Sequence, residues 1–195
     1  SWSNQYAGTR GKKMLKAGVI GVGVHGLHHV RLLTRMEGVT LAGVYDSNRD
    51  TCGSVAAEFG VRPFPSLKAL LDEIDCVTVA APTSSHHEVV MESLEHGVPV
   101  LVEKPIAVTT AEAEEMIAAA EKKGVPLAVG HLERFNSAYR SLDGERIVPK
   151  FVESHRLSVF NPRGTDVAVV LDLMIHDIDI LLDLVKKPVA SVRAV

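Results

Sequence analysis

At 195 residues the chain can bury one full hydrophobic core, or a core and a small second unit. Its 46% hydrophobic and 23% charged residues are ordinary for a soluble globular protein. A formal charge of −3, with no basic run interleaved with aromatics, excludes a nucleic-acid-binding surface.

Residues 1–13 are polar and lack an apolar h-region, so they are expected to be a flexible lead-in and not a secretory signal. The pattern then changes. Ala17 to Ile20 is an apolar run of the kind a fully buried strand has, and it stops at Gly21. Gly21, Gly23 and Gly26 form G-x-G-x-x-G, and the apolar positions from Val24 to Met36 predict a helix. Such glycines serve a tight turn, the approach of a pyrophosphate to bare backbone, and close packing of helix on strand. The N–H groups of the new helix, at Val24 and His25, then face a diphosphate. A second apolar strand, Val39 to Tyr45, ends at Asp46. An acid at that place accepts hydrogen bonds from both adenosine ribose hydroxyls and repels a 2′-phosphate. This reading gives dinucleotide binding, with NAD favoured over NADP. Ser47 adjoins the acid, and Arg49, three residues beyond Asp46, is placed to touch a 2′-phosphate, which keeps NADP open.

A helix is predicted over Arg49 to Phe59, stopped by Gly60, then a short strand over Val61 to Phe64 and a short helix over Ser66 to Leu71. Cys76 to Ala80 is strongly β-like. Pro82 to Glu88 is a loop entering a helix, with Ser85 and Glu88 spaced as a capping box. Val98 to Val102 is the next strand, followed at once by Glu103-Lys104-Pro105. Thr109 and Glu112 make a second capping box before a helix that stops at Gly124, and Val125 to Val129 is the sixth strand. Strands and helices thus alternate over 14–129, the pattern of an α/β doubly wound parallel sheet. The loops at Gly21–Gly26, Asp46, Ala81–His86 and Glu103–Pro105 all leave strand C-termini, where such sheets bind ligands.

Beyond Val129 the pattern loosens. Gly130 to Tyr139 is a polar junction followed by a helix-like piece broken at Gly144. Phe151 to Phe160 reads as an alternating strand, Asn161 to Gly164 as a turn, and Val189 to Val195 as a last strand after a long helix. In that helix Asp172, His176, Asp179 and Asp183 are spaced four, three and four apart, hence on one stripe. Solvent or a cleft can face that stripe. Asp177 adds a further charge, and together these groups rule out a comfortable membrane span. Cys52 and Cys76 are the only cysteines. A buried thiol within a predicted strand is expected at Cys76, which fits a reducing cytoplasm. His28/His29 and His86/His87 lack ligand spacing with a third partner, so no metal site is expected.

Four motifs occur in order: G-x-G-x-x-G at Gly21–Gly26, P-T-x-x-H at Pro82–His86, Glu103-Lys104-Pro105, and D-x-x-x-H at Asp172–His176. In these the chain resembles the glucose-fructose oxidoreductase / inositol dehydrogenase / MocA (Gfo/Idh/MocA) family of NAD(P)-dependent oxidoreductases. The resemblance implies that Lys104, Asp172 and His176 carry substrate binding and acid–base chemistry on a sugar or cyclitol hydroxyl. It adds Pro82, Thr83, His86, Glu103 and Lys104 to the cofactor-binding set, Thr83 and His86 near the ribose or diphosphate; capping is their alternative. Arg134, Asn136 and Arg163 become candidates for gripping substrate oxygens or a phosphate, against a salt-bridging alternative. The G-H-x-E-R-F-N segment is most similar to members acting on nucleotide-linked amino sugars such as UDP-N-acetylglucosamine.

The resemblance also implies a second, α+β domain larger than residues 130–195, built on an open sheet that supports homo-oligomers. The chain is therefore expected to be either part of a longer one or a short form that associates. Two other functions compete with an active dehydrogenase: a non-catalytic NAD-binding regulator or scaffold, and an inactive fragment. The intact Lys104, Asp172 and His176 favour the enzyme.

Overall fold

The computed structural model describes residues 14–145, 147–157, 168 and 170–194. The chain divides into two compact units, 1–129 and 130–195.

The first unit is a six-stranded, wholly parallel sheet of order β3-β2-β1-β4-β5-β6. Its strands are β1 (Leu15–Ile20), β2 (Val39–Tyr45), β3 (Arg62–Pro63), β4 (Cys76–Val79), β5 (Val100–Val102) and β6 (Leu127–Val129). Between them lie α1 (Val24–Leu33), α2 (Arg49–Phe59), α3 (Leu67–Leu71), α4 (His86–Glu95) and α5 (Thr110–Lys123). Alternation along the strands divides the core in two. Val19 and Val44 pack with Val30 of α1 and with Cys52, Val55 and Ala56 of α2. Ile20, Val77, Val79, Val100 and Val102 pack with α3, α4 and α5 through Leu70, Val90, Leu94 and Met116. A sheet covered in this way needs apolar strands throughout, as the sequence has. The chain order reverses between β1 and β4, and ligands bind beyond the strand ends at such a point.

Helix ends follow local chemistry. Asn48 caps α2 by accepting from the N–H groups of Asp50 and Thr51, and Gly60 closes it in the left-handed conformation at φ 63°. The Thr109–Glu112 capping box of α5 forms with both of its hydrogen bonds. The box expected at Ser85 and Glu88 does not. A 3₁₀ turn at Thr83–Ser85 precedes α4, and Ser85 already has helical backbone (φ −102°, ψ −5°) with no capping bond from its side chain. Four strands are shorter than expected, β4 by Ala80 alone, and proline is involved in the other three. Pro63 has no N–H to extend β3, while β5 and β6 begin only after Pro99 and Pro126.

Residues 130–195 hold a 3₁₀ turn (Leu132–Phe135), the short α6 (Ser137–Arg140), a π turn (Val170–Met174) and α7 (Ile175–Val185). Of the strands expected over Phe151–Phe160 and Val189–Val195, the described residues 151–157 and 189–194 show no strand. Alternating apolar residues make a strand only beside a neighbour that takes its hydrogen bonds. Here Phe151 and Leu157 are 81% and 92% exposed.

Candidate functional site

Two glycines of the first loop have distinct structural causes. Gly21 lies at φ +78°, and a Cβ there would come within 2.5 Å of the Ala81 nitrogen, so both conformation and space demand glycine. At Gly26 a Cβ would drive into the Gly21 carbonyl oxygen, because α1 packs directly against the loop. Gly23 differs, with nothing within 4 Å of the position its Cβ would take. Gly23, Val24 and His25 are exposed, so the N-terminus of α1 offers its unpaired N–H groups in an open place.

The Asp46 carboxylate completes the loop. Its Oδ2 accepts from Val22 N at 2.8 Å and its Oδ1 from Asn48 N at 2.8 Å. Each oxygen keeps acceptor capacity for a further hydroxyl. A cleft of about 280 Å³ opens beside it, lined by Gly21, Asp46, Ser47, Leu67, Pro82 and Val89. Glu88 and Glu92 of α4 also line this cleft. Sequence reasoning missed Leu67, Val89 and Glu92, which no motif marks, and read Glu88 only as half of a capping box. Arg49 is engaged elsewhere: its guanidinium donates to the carbonyls of Pro65 at 2.5 Å and Phe64 at 3.4 Å.

Thr83 is partly buried in the 3₁₀ turn. His86 is 1% exposed, with Nδ1 2.9 Å from the Pro105 carbonyl oxygen and Nε2 2.9 Å from that of Ala81. Its ring joins two loops. Carbonyl oxygens only accept, so both contacts are hydrogen bonds at once only when both ring nitrogens carry hydrogen.

Glu103 and Lys104 leave β5, and a cis peptide joins Lys104 to Pro105. The Glu103 Oε1 lies 2.8 Å from His29 Nε2, and its Oε2 accepts from Lys104 N at 3.3 Å. Burial works to raise the Glu103 carboxyl. The hydrogen bond and charge of His29, the Lys104 N–H and the charge of His25 outweigh it, and the carboxyl lies below the ordinary glutamate range. His29 entered the sequence reading only as a possible metal ligand, yet the structure gives it a carboxylate partner. Among the described residues no cluster suited to a metal ion is present.

In the second unit Asp172 lies in the π turn and His176 in the first turn of α7, both partly buried. Such turns are frequent at functional sites. Further along, the stripe is internally paired. Arg134 reaches Asp179 through two 2.7 Å hydrogen bonds and Asp183 through one of 3.4 Å. The Arg134 hydrogen bond holds the Asp179 carboxyl below the ordinary aspartate range. Tyr139 donates to Asp183, which pushes its hydroxyl up to about 12. Asp177 points another way, toward Arg156 and Ser154. Asn136 caps α6 through Ala138 N. Arg134 and Asn136, expected to grip substrate, thus have structural partners within their own unit, and Arg163 lies outside the described residues.

Among the described residues no helix is long and apolar enough to cross a membrane. Residues 15–131 match the family model for an oxidoreductase family with an NAD-binding Rossmann fold. The chain is 40% identical over 182 residues to the UDP-N-acetylglucosamine 3-dehydrogenase of Acidithiobacillus ferrooxidans, covering 93% of this chain and 58% of that protein. A solved structure of that dehydrogenase superposes with a TM-score of 0.84 over 88% of this chain and 56% of its own. An inositol 2-dehydrogenase of Saccharopolyspora erythraea is 33% identical, covering 92% of this chain and 56% of that one. The structure of GenD2 from gentamicin A biosynthesis, in complex with NAD, is 31% identical with a TM-score of 0.63, over 71% of this chain and 42% of that one. The chain thus spans little more than half the length of the curated relatives it matches. With six parallel strands, the glycine loop and the acid at the end of β2 agreeing with that match, the chain belongs to the Gfo/Idh/MocA oxidoreductase family.

Proposed function

We propose that this chain carries the cofactor site and reacting groups of an NAD-dependent dehydrogenase acting on a secondary hydroxyl of a sugar, with a nucleotide-linked amino sugar as its substrate class. The observation that carries the reading is the Asp46 carboxylate, fixed to the glycine loop at Val22 N and lining the cleft beside it. The open position at Gly23 leaves room for a diphosphate on the N–H groups of Val24 and His25. Leu67, Pro82 and Val89 suit the faces of an adenine, and Asp46 suits its ribose hydroxyls. Three carboxylates, Asp46, Glu88 and Glu92, line the cleft, and Arg49 is spent on backbone carbonyls. A 2′-phosphate would meet repulsion there, which supports NAD over NADP.

When bound, NAD supplies the hydride acceptor. Oxidation then requires the carbinol hydrogen to leave as hydride and the hydroxyl proton to go to a base. His176 takes that proton in this reading, its imidazole being suited to proton transfer near neutral pH. Lys104 hydrogen-bonds the reacting oxygen as negative charge develops on it, and Asp172 orients substrate or imidazole. Likeness to the UDP-N-acetylglucosamine dehydrogenase supports the substrate class. Exposed apolar side chains such as Phe151 and Leu157 support assembly through residues 130–195, and the two free thiols suit a reducing cytoplasm.

Fluorescence titration with NADH and NADPH, followed by UDP-N-acetylglucosamine with NAD and absorbance at the nicotinamide band, tests the reading. NADH is expected to bind at least about tenfold tighter than NADPH, with turnover. Asp46→Ala should weaken NADH by about tenfold and narrow the gap to NADPH. Unchanged binding in that variant would remove the ribose assignment, while binding without turnover would favour an NAD-binding scaffold.

A further inference from the structure

The turn that carries Lys104 is held from both sides by histidines that no motif of the sequence assigns to it. On one side His29 belongs to α1, the helix whose N-terminus closes the glycine loop. Its Nε2 sits 2.8 Å from Glu103 Oε1, with both side chains 15% exposed. A carboxylate has no hydrogen to give, so His29 Nε2–H donates. The second Glu103 oxygen accepts from the Lys104 backbone N–H at 3.3 Å. The chain of contacts therefore runs from His29 through one carboxylate to the peptide of Lys104 itself. On the other side the buried His86 lies 2.9 Å from the Pro105 carbonyl oxygen. Strand β4 lies between β1 and β5, so the His29–Glu103 contact bridges across its end, joining residues 74 apart in sequence. A hydrogen bond to a charged, partly buried acceptor is among the stronger ones and is directional.

We propose that His29 is a positioning residue for Lys104: acting through Glu103, it couples the helix that carries the cofactor loop to the turn that presents the lysine. His86 braces the opposite side of that turn. The assignment rests on the reading of Lys104 as a reacting-site residue, and it concerns geometry that a variant can change without removing any group from the site.

The test uses the 195-residue chain with His29→Ala and His29→Gln, the latter retaining an N–H donor. Lysine side chains are labelled by ¹³C-dimethylation, and the Lys104 resonance is assigned by its loss in Lys104→Arg. NADH affinity, kcat and KM are measured beside it. In His29→Ala the Lys104 resonance should move, NADH affinity should stay within about twofold, and kcat should fall about tenfold with KM little changed. His29→Gln should restore most of the lost kcat and return the resonance toward its original position. An unmoved Lys104 resonance in His29→Ala overturns the proposal. So does a loss of NADH binding as large as the loss of kcat that glutamine fails to rescue, because that marks general loosening of the fold. Should His29→Ala not fold, His29→Leu, which keeps bulk but has no donor for Glu103, decides the same point: a moved Lys104 resonance supports the proposal and an unmoved one overturns it. If the chain binds NADH without turnover, the dehydrogenase reading fails while the resonance still decides the positioning role.

Discussion

The two units hold their helices by opposite means. In residues 14–129 each of the five helices buries apolar side chains against the sheet, and Val19, Val44, Val79 and Val102 are fully inaccessible. In the second unit α7 has seven apolar residues among its eleven and buries none. Its fixed points are carboxylates instead: Asp177 on Arg156, Asp179 on Arg134, and Asp183 on Arg134 and Tyr139. Partly exposed ion pairs each contribute little, of order 1 kcal/mol or less, whereas a buried leucine contributes about 1.5–3 kcal/mol. The first unit therefore derives rigidity from packing, and the second keeps its helix by directional contacts that fix orientation more than stability. The division suits the chemistry assigned to each. A dinucleotide needs a preformed cradle, while Asp172 and His176 sit on a segment with a π turn and loose packing.

That contrast can be broken most severely at Gly26. Replacing it with alanine should push the Gly21 carbonyl out of place and weaken NADH by about 100-fold or more, which titration will show. A pair of leucines sharpens the comparison. Leu70→Ala, at a fully buried site in the first unit, should cost about 2–5 kcal/mol in denaturant unfolding. Leu182→Ala, at a site 49% exposed on α7, should stay within about 0.5 kcal/mol. Equal losses would show that α7 is packed as tightly as the sheet. Thr109→Ala removes the capping box of α5 and should cost about 1 kcal/mol, measurable in the same unfolding series.

A small effect is also expected in acid. The Asp179 carboxyl is held below its ordinary range chiefly by Arg134, so its contribution is complete above the unfolded value of about 3.9. It should disappear as pH falls through the lower folded value. Asp179→Asn should flatten that part of a stability–pH curve by no more than about 1 kcal/mol, because Arg134 is 41% exposed. A curve that matches wild type throughout would remove the Arg134–Asp179 pair from the account.

Several features of this protein could be read from neighbouring residues alone. Gly21 at its positive φ, Gly26 against the Gly21 carbonyl, Asn48 and Gly60 around α2, and Thr109 with Glu112 all sit where local geometry calls for those residue types, and Asp46 follows directly on the second strand. Such preferences act over a few residues, so the parallel sheet, its order of elements and the place of the glycine loop were legible before any coordinate. The Ser85 box failed for a reason of the same short range, a 3₁₀ turn that had already made Ser85 helical. The described residues 151–157 and 189–194 show no strand because a strand needs a neighbour, which an apolar pattern cannot supply. Tertiary structure alone decided how the charged side chains are used. Arg49 turned to the carbonyls of Phe64 and Pro65, Arg134 to Asp179, His86 inward between two loops, and His29 across the end of β4 to Glu103. Each of those partners is set by which elements lie side by side, and the energy of a hydrogen bond or ion pair depends on burial and angle at the meeting point. Spacing along the chain carries neither quantity.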